Sequence, residues 1–370
     1  MNILVIDNAA MCFQNGKHYT NSLNGIFIGE LLERQDTITY FQFETSNGNN
    51  ISNYSLEEHG VQCRSLRFFQ NKIVRYLYAY FMAIFAIMRK EFVYIYYPNS
   101  FKYVPLICRL LRKPYGLYIR GMKGLDDRMS HYNYRHAFTI LTVSDVFTKR
   151  INQLCGSEKA HTIRPMIPYT ESDVIRNREY HQKRNYDILY LGRIAADKGL
   201  DELLHAAVQL RENGWHRFHM QIVGDGEYMP RLKELHKELE LTDYVSIEGP
   251  ILDDEKKKAS YLHTDLYVLP TYHEGFPRTL YEAMIFGTPI ITTLVGGIPS
   301  LMKDGVNCLS IEPHNVGQLA EKMAYLMDNY ATLAPQLAKN AQETVLPIIS
   351  SERESHAEQL HRILTQREAL

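Results

Sequence analysis

Four short apolar runs in the second half of the chain, DILYLG (187–192), HMQIVG (219–224), DLYVLP (265–270) and PIITT (289–293), each read as a strand. Helix-like stretches, GLDELLHAAVQL (199–210), PRLKELHKELEL (230–241) and 277–286, lie between them. A strand that is apolar along its whole length is covered on both faces, and strands separated by helices are joined by crossovers. The pattern therefore restricts this half to a parallel α/β sheet. The first half repeats it more loosely, with strands at Ile3–Ile6, 38–43, 92–97, 115–120 and 140–144 and helix-like stretches at 25–34 and 71–90. Ser144 is placed to cap a following helix. Residues 164–186 interrupt the alternation with the two prolines of RPMIPY and a polar stretch, and read as a linker. Helix-like segments at 315–329, 332–345 and 351–370 close the chain. The reading is two open α/β domains in tandem with a cleft between them, and in such sheets ligands bind at the carboxyl ends of the strands.

Length and composition agree with this. The chain has 370 residues, enough for two domains of similar size, and its 45% hydrophobic and 22% charged residues suit a soluble enzyme. A formal net charge of −1 gives no overall bias toward nucleic acid. The five cysteines are scattered, odd in number and without a CxxC pair, which argues against a disulfide framework or a zinc site and fits a reducing compartment. The start, MNILVIDNAA, lacks the form of a signal peptide, and the uncharged run 76–88 is too short to span a bilayer. A cytoplasmic protein is expected.

The most informative segment runs from Leu269 to Pro299. A buried strand ends at Pro270, a loop carries Glu274, Gly275 and Phe276, and Pro277 stands where a first helical residue is expected. The loop amides and the helix N-terminus form an anion site, Gly275 lets the backbone approach a ligand, and Glu282 inside the helix offers a pure acceptor for sugar hydroxyls. Taken singly, each acid has a plainer explanation. Glu274 is favoured by a helix N-terminus, and Glu282 can pair with Arg278 on an exposed face. A second segment, YLGRIAADKGLDELL (190–204), again runs strand, loop, helix. Arg193 and Lys198 bring a planar fork and a point charge to the loop, a combination suited to a diphosphate; two solvated loop cations are the alternative.

In order along the chain, LGRIAADKG, IVGDGE, EGFPRTLYEAM with its E-x7-E pair, and GTPIITTLVGGIPSLMKDGVN resemble the motifs of retaining glycosyltransferases of family four, closely over about residues 187–315. The resemblance implies an α/β chain of the GT-B fold, two Rossmann-like domains facing across a cleft. It divides the chain into an acceptor-side domain at 1–168, a nucleotide-sugar-binding domain at 169–346 and a C-terminal helix at 347–370 that crosses back to the first domain. It implies that Arg193 and Lys198 hold the donor diphosphate and steady the leaving group, that Glu274 lies near the donor sugar, and that Glu282 contacts the ribose. The amides of Gly275 and Phe276, with Pro277 beside them, would meet the sugar or phosphate, Gly192 belongs to the same donor-binding set, and Gly224 would sit near the base. Gly296 and Gly297 would shape the same pocket. The first half departs from the family pattern. For the usual Gly-Gly after the first strand the nearest candidate is Asn24-Gly25, and no catalytic histidine is assignable. His18 and His131 read better as lone surface histidines. Arg120-Gly121-Met122 resembles a motif of part of the family, which puts Arg120 toward the donor; a structural or acceptor-side cation is the equal alternative.

The activity implied is transfer of a sugar, with retention, from a nucleotide-sugar donor to a glycan or lipid-linked acceptor in bacterial surface polysaccharide biosynthesis, with a UDP-sugar favoured over a GDP-sugar. Without a D-x-D pair at a strand end or a His/Cys cluster, no metal or other cofactor is expected. An epimerase or phosphorylase of the same fold, or a non-catalytic sugar-nucleotide binder, is the competing reading. Residues 60–123 hold twelve Lys or Arg against one acid, Glu91, with aromatics interleaved. This suits attachment to an anionic membrane surface at its inner face, or else a buried helix with solvated basic flanks. Nucleic acid is disfavoured, since no recognised binding module is present.

Overall fold

The computed structural model describes residues 1–34, 36–45, 52–98, 101–121 and 124–368. These form two compact units, Met1–Pro168 together with Glu354–Leu370, and Tyr169–Arg353. Each is built on its own sheet.

In the first unit the parallel strands are β1 (Asn2–Ile6), β4 (Thr37–Thr45), β6 (Gln62–Leu66), β7 (Phe92–Tyr97), β8 (Tyr115–Ile119), β9 (Thr139–Thr142) and β10 (Ala160–Thr162), in the order β6-β4-β1-β7-β8-β9-β10. A hairpin the sequence reading missed, β2 (Met11–Gln14) and β3 (Lys17–Asn21), with β5 (Ser52–Ser55), extends the same edge beyond β4. The helices are α1 (Ser22–Glu33), α2 (Lys72–Met88), α3 (Val104–Leu110), α4 (Arg128–His136) and α5 (Asp145–Cys155). Ser144 caps α5 by accepting from the Val146 amide. The strand cores Leu4, Ile6, Val93, Ile95, Leu117 and Ile119 pack on one face of the sheet, Ile3, Val5, Tyr94 and Tyr96 on the other.

The C-terminal helix, His356–Glu368, packs in this first unit against α1: Ala357, Leu360 and Leu364 are buried there, and Arg34 bonds Glu358 at 2.7 Å. It starts at His356 and not at 351, because Ser355 and Glu358 form a reciprocal cap, with the Ser355 amide on Glu358 at 2.7 Å and the Glu358 amide on Ser355 Oγ at 3.2 Å.

The second unit holds β11 (Tyr186–Leu191), β12 (Phe218–Val223), β13 (Val245–Glu248), β14 (Leu266–Leu269), β15 (Ile290–Thr293) and β16 (Leu309–Ile311), all parallel, in the order β13-β12-β11-β14-β15-β16. Its helices are α6 (Leu200–Glu212), α7 (Met229–Glu238), α8 (Asp254–His263), α9 (Arg278–Ile285), α10 (Val316–Asp328) and α11 (Tyr330–Ile349). Counted within the unit, this is strand order 3-2-1-4-5-6, the dinucleotide-fold arrangement. The order reverses between β11 and β14, so the loops after those two strands diverge and leave a crevice.

The expected linker is overturned in part. Beyond the unit boundary at Pro168, residues 169–185 form a strap bound to the second unit. Arg178 donates to the Phe286 carbonyl at 3.2 Å and the Tyr261 carbonyl at 3.0 Å, Tyr180 to the Gly287 carbonyl at 2.7 Å, and Lys183 pairs with Asp265 at 2.6 Å. Polar side chains here satisfy helix-end carbonyls, which a polarity count alone reads as a solvated stretch. All five cysteines are free, and among the described residues no helix is long and apolar enough to cross a membrane.

Candidate active site

The loops leaving β11, β12, β14 and β15 interlock at the carboxyl end of the second sheet. The Ile194 amide bonds the Asp225 carbonyl at 2.8 Å, the Tyr272 amide bonds the Asp197 carbonyl at 2.9 Å, and Thr293 Oγ1 donates to the Thr271 carbonyl at 2.6 Å. Two of these approaches require glycine. At Gly224 a Cβ would lie 1.8 Å from the Gly192 carbonyl oxygen, so these two candidate glycines meet backbone to backbone. At Gly296, with φ +60°, a Cβ would lie 1.9 Å from the Glu274 carbonyl oxygen. The backbone that presents Glu274 is thus set by the neighbouring strand's loop.

Within this frame Lys198 and Glu274 meet. Lys198 stands on the turn between β11 and α6, is only 7% exposed, and puts Nζ 2.6 Å from Glu274 Oε1 and 3.3 Å from the His273 carbonyl oxygen. Burial pushes the Glu274 carboxyl above its usual range, while the Lys198 ammonium opposes that rise. Arg193 is held loosely, 3.4 Å from Asp197 and 3.8 Å from Glu227, with over half its side chain exposed. The N-termini of α6 and α9 have no side-chain cap, and uncapped helix starts of this kind suit an anion. Such an arrangement binds an anion and stabilises charge that develops on it.

Pro277 departs from expectation: it is the N-cap of α9 with ψ 136°, and Arg278 is the first helical residue. Its carbonyl accepts from the Leu280 amide at 3.1 Å, so it opens the helix from outside. Gly275 and Phe276 are buried, the Phe276 ring packing on Tyr281 with centroids 4.5 Å apart. Glu282 is not on an exposed face beside Arg278. It is 5% exposed and accepts from the Tyr261 hydroxyl of α8 at 3.0 Å. Burial pushes its carboxyl up, against the charge of Lys257 and the Tyr261 hydrogen bond. Sequence reasoning missed Thr271 and Asp197, whose signal was their place directly after a strand and directly before Lys198.

In the first unit the strand order again reverses, between β1 and β7. A recess of about 210 Å³ lies there, lined by Asn8, Tyr96, Tyr97, Pro98, Tyr118, Arg120 and Gly121. Arg120 therefore sits at a strand end in a crevice; Met122 lies outside the described residues. Below it Asp7 is fully buried, accepting from Asn24 Nδ2 at 2.6 Å and from the Tyr40 hydroxyl. Burial pushes the Asp7 carboxyl up, and the Tyr40 hydrogen bond and the Arg120 charge resist it. Asp7 was missed, although a carboxylate directly after the first buried strand was its signal. Gly25 lies in α1, where a Cβ would meet the Tyr54 ring at 2.2 Å, so it serves packing.

His18 is not a lone surface residue. Its Nδ1 is 2.5 Å from Glu57 and its Nε2 3.1 Å from Glu44, and His18, Glu57 and Cys63 bring potential ligand atoms within 4.8 Å, a His/Cys grouping that the sequence spacing hid. His131 lies 3.8 Å from Asp126.

Two units with sheets of this order, the second with a paired cation and carboxylate at its reversal point, define the GT-B class of α/β protein. Residues 171–344, within this second unit, match the family described as Glycosyl transferases group 1. The chain is 27% identical over 241 residues to the putative colanic acid biosynthesis glycosyltransferase WcaL of Escherichia coli (strain K12), covering 62% of this chain and 58% of that one. It is 33% identical over 144 residues to the 2-deoxystreptamine N-acetyl-D-glucosaminyltransferase of Niallia circulans, covering 38% of this chain and 36% of that one. The chain spans about half the length of the curated relatives it matches. In fold it is similar to Anabaena Alr3699/HepE in complex with UDP-glucose, with TM-score 0.70 at 16% identity over the whole of both chains. It is also similar to the sucrose-phosphate synthase of Thermosynechococcus elongatus, with TM-score 0.72 at 19% identity over 100% of this chain and 99% of that one.

Proposed function

We propose that the chain is a family-four retaining glycosyltransferase that moves a sugar from a nucleotide-sugar donor, a UDP-sugar before a GDP-sugar, to a glycan or lipid-linked acceptor of bacterial surface polysaccharide. The observation that carries the reading is the Lys198–Glu274 pair, 2.6 Å apart at the point where the second sheet reverses its order. A WcaL named for colanic acid biosynthesis among the relatives, and a fold neighbour in complex with UDP-glucose, support the choice of product and base.

In this reading the second unit takes the donor and the first takes the acceptor. Breaking the bond from sugar to diphosphate builds negative charge on the departing phosphate. Lys198, fixed, and Arg193, free to swing, offset that charge together with the uncapped amides of α9. Arg193 and Lys198 then do what a divalent ion does elsewhere, and the reaction needs no added metal. Glu274 orients a donor-sugar hydroxyl, and Glu282 the ribose.

The test is thermal unfolding with UDP, GDP, ADP and their sugar conjugates, for the wild type and Lys198→Ala, followed by nucleotide release with EDTA present. A melting shift with one nucleotide family, lost in the variant, is expected. No shift with any nucleotide sinks the donor assignment. Nucleotide release that EDTA abolishes and manganese restores sinks the metal-free mechanism. Nucleotide release only when an acceptor is present argues against the epimerase and phosphorylase alternatives.

A further inference from the structure

Helix α2 has no polar face. Its inner side is Ala79, Ala83 and Ile87, all fully buried. A surface helix ordinarily turns charged residues outward. Here the outward side carries Ile73 at 72% exposure, Leu77 at 68%, Phe81 at 58%, Phe85 at 56% and Met88 at 53%. The spacing of four, four, four and three keeps these side chains on one stripe along a helix of 17 residues, roughly 25 Å long. On neighbouring segments Phe68, before α2, is 61% exposed and Leu110, at the end of α3, is 82% exposed. Isolated exposed apolar residues need no explanation, but a continuous stripe does.

The exposed charges that α2, α3 and their flanking segments themselves carry are basic. Arg67, Lys72, Arg89, Arg109 and Arg112 are exposed on α2, α3 and the segments that flank them. Glu91 is the one acid between residues 60 and 123. Arg75 lies over the Phe68 ring, 3.6 Å from its centroid, which fixes a cation beside an exposed aromatic. A second copy of the chain meeting this face would set like charge against like charge. A sheet of anionic headgroups over hydrocarbon complements both the basic rim and the apolar stripe.

We propose that this face of the first unit docks on an anionic lipid bilayer. Helix α2 lies along the surface with Phe81 and Phe85 below the headgroups, and the arginines and Lys72 meet lipid phosphates. No described helix is both long and apolar enough to cross, so the helix lies on the membrane and does not span it. The inference stands apart from the transfer reading, because it uses none of the residues of the second unit.

The experiment is co-sedimentation of the full chain with vesicles of phosphatidylcholine alone and of phosphatidylcholine with phosphatidylglycerol. Binding to the anionic vesicles is expected to exceed binding to the neutral ones about tenfold or more, and to weaken as salt rises. The double variant Phe81→Asp/Phe85→Asp should bind at least about tenfold more weakly. Arg109→Glu/Arg112→Glu, which leaves the helix untouched, should lose the preference for anionic lipid. Melting with UDP reports the second unit separately, so failed vesicle binding with an intact UDP shift counts against this proposal alone. Wild type that stays in the supernatant, or a Phe81/Phe85 variant that sediments like wild type, overturns it. A wild-type dimer in size-exclusion chromatography that the double variant converts to monomer, without vesicle binding, would show the stripe to be a self-association face.

Discussion

Lys198 Nζ lies 2.6 Å from Glu274 Oε1, and both groups are largely withdrawn from water. Each is the other's main counter-charge, so removing one leaves a desolvated charge behind. Lys198→Ala should lower stability by about 1–3 kcal/mol, less than a fully buried pair because Glu274 keeps some exposure. It should also cut the transfer rate by about a hundredfold or more, since a donor to the leaving phosphate is lost. The double variant Lys198→Ala/Glu274→Gln should regain most of the stability and none of the rate. Equal recovery of both would make the pair purely structural.

Glu274 also sets an expected acid limit. Burial holds its carboxyl above the usual value near 4.5, even with Lys198 opposing. A raised value means that protonation begins at a higher pH on the way down, so activity should fall on the acid side before an ordinary carboxylate titrates. In Glu274→Gln the residual rate should lack that limb. A pH–rate profile that keeps the same acid limb in the variant assigns the limb to another group.

The fold was legible where strands are buried on both faces. DILYLG and FVYIYY need no partner to be recognised, and the observed strands Tyr186–Leu191 and Phe92–Tyr97 agree with them to within a residue. The hairpin of Met11–Gln14 and Lys17–Asn21 was not legible, because an edge hairpin of mixed polarity has neither period clearly. Residues 169–185 looked like a linker because the carbonyls that bind Arg178 and Tyr180 lie about a hundred positions away in sequence. In the site, Arg193, Lys198 and Glu274 stood out by following strands. Their partner distances, and the turn of Glu282 into the interior toward Tyr261, depend on how α8 packs on α9, which no local pattern encodes.

That inward turn of Glu282 carries its own expectation. The Tyr261 hydroxyl donates to it at 3.0 Å, and a Gln at this position still offers an acceptor oxygen without a buried charge. Glu282→Gln should therefore melt at or slightly above the wild-type temperature. If the second carboxylate oxygen takes a ribose hydroxyl, KM for the donor should rise about tenfold with kcat little changed, the sign of lost uniform binding. An unchanged KM would confine Glu282 to holding α8 against α9.

His356, which no local pattern singles out, ties the C-terminal helix into the first unit. Its ring stacks on Phe27 with centroids 4.4 Å apart, and Nε2 is hydrogen-bonded to the Tyr94 hydroxyl at 2.6 Å. Burial first, and then the Arg120 charge, lower its pKa from 6.5 to about 3. The native state thus holds the ring neutral, while an unfolded chain protonates it from about 6.5 downward. The stabilisation is complete above that value and is lost as pH falls below it, at about 1.4 kcal/mol per pH unit until the native group itself titrates. At pH 5 the loss is about 2 kcal/mol, worth roughly 4–8 °C in the melting temperature of a unit this size. His356→Gln, which keeps an acceptor for Tyr94 and does not titrate, should start lower at pH 7.5 and fall less steeply toward pH 5. Parallel melting curves for wild type and variant across that range would show that the ring is charged in the native state, and that the stack on Phe27 holds an imidazolium.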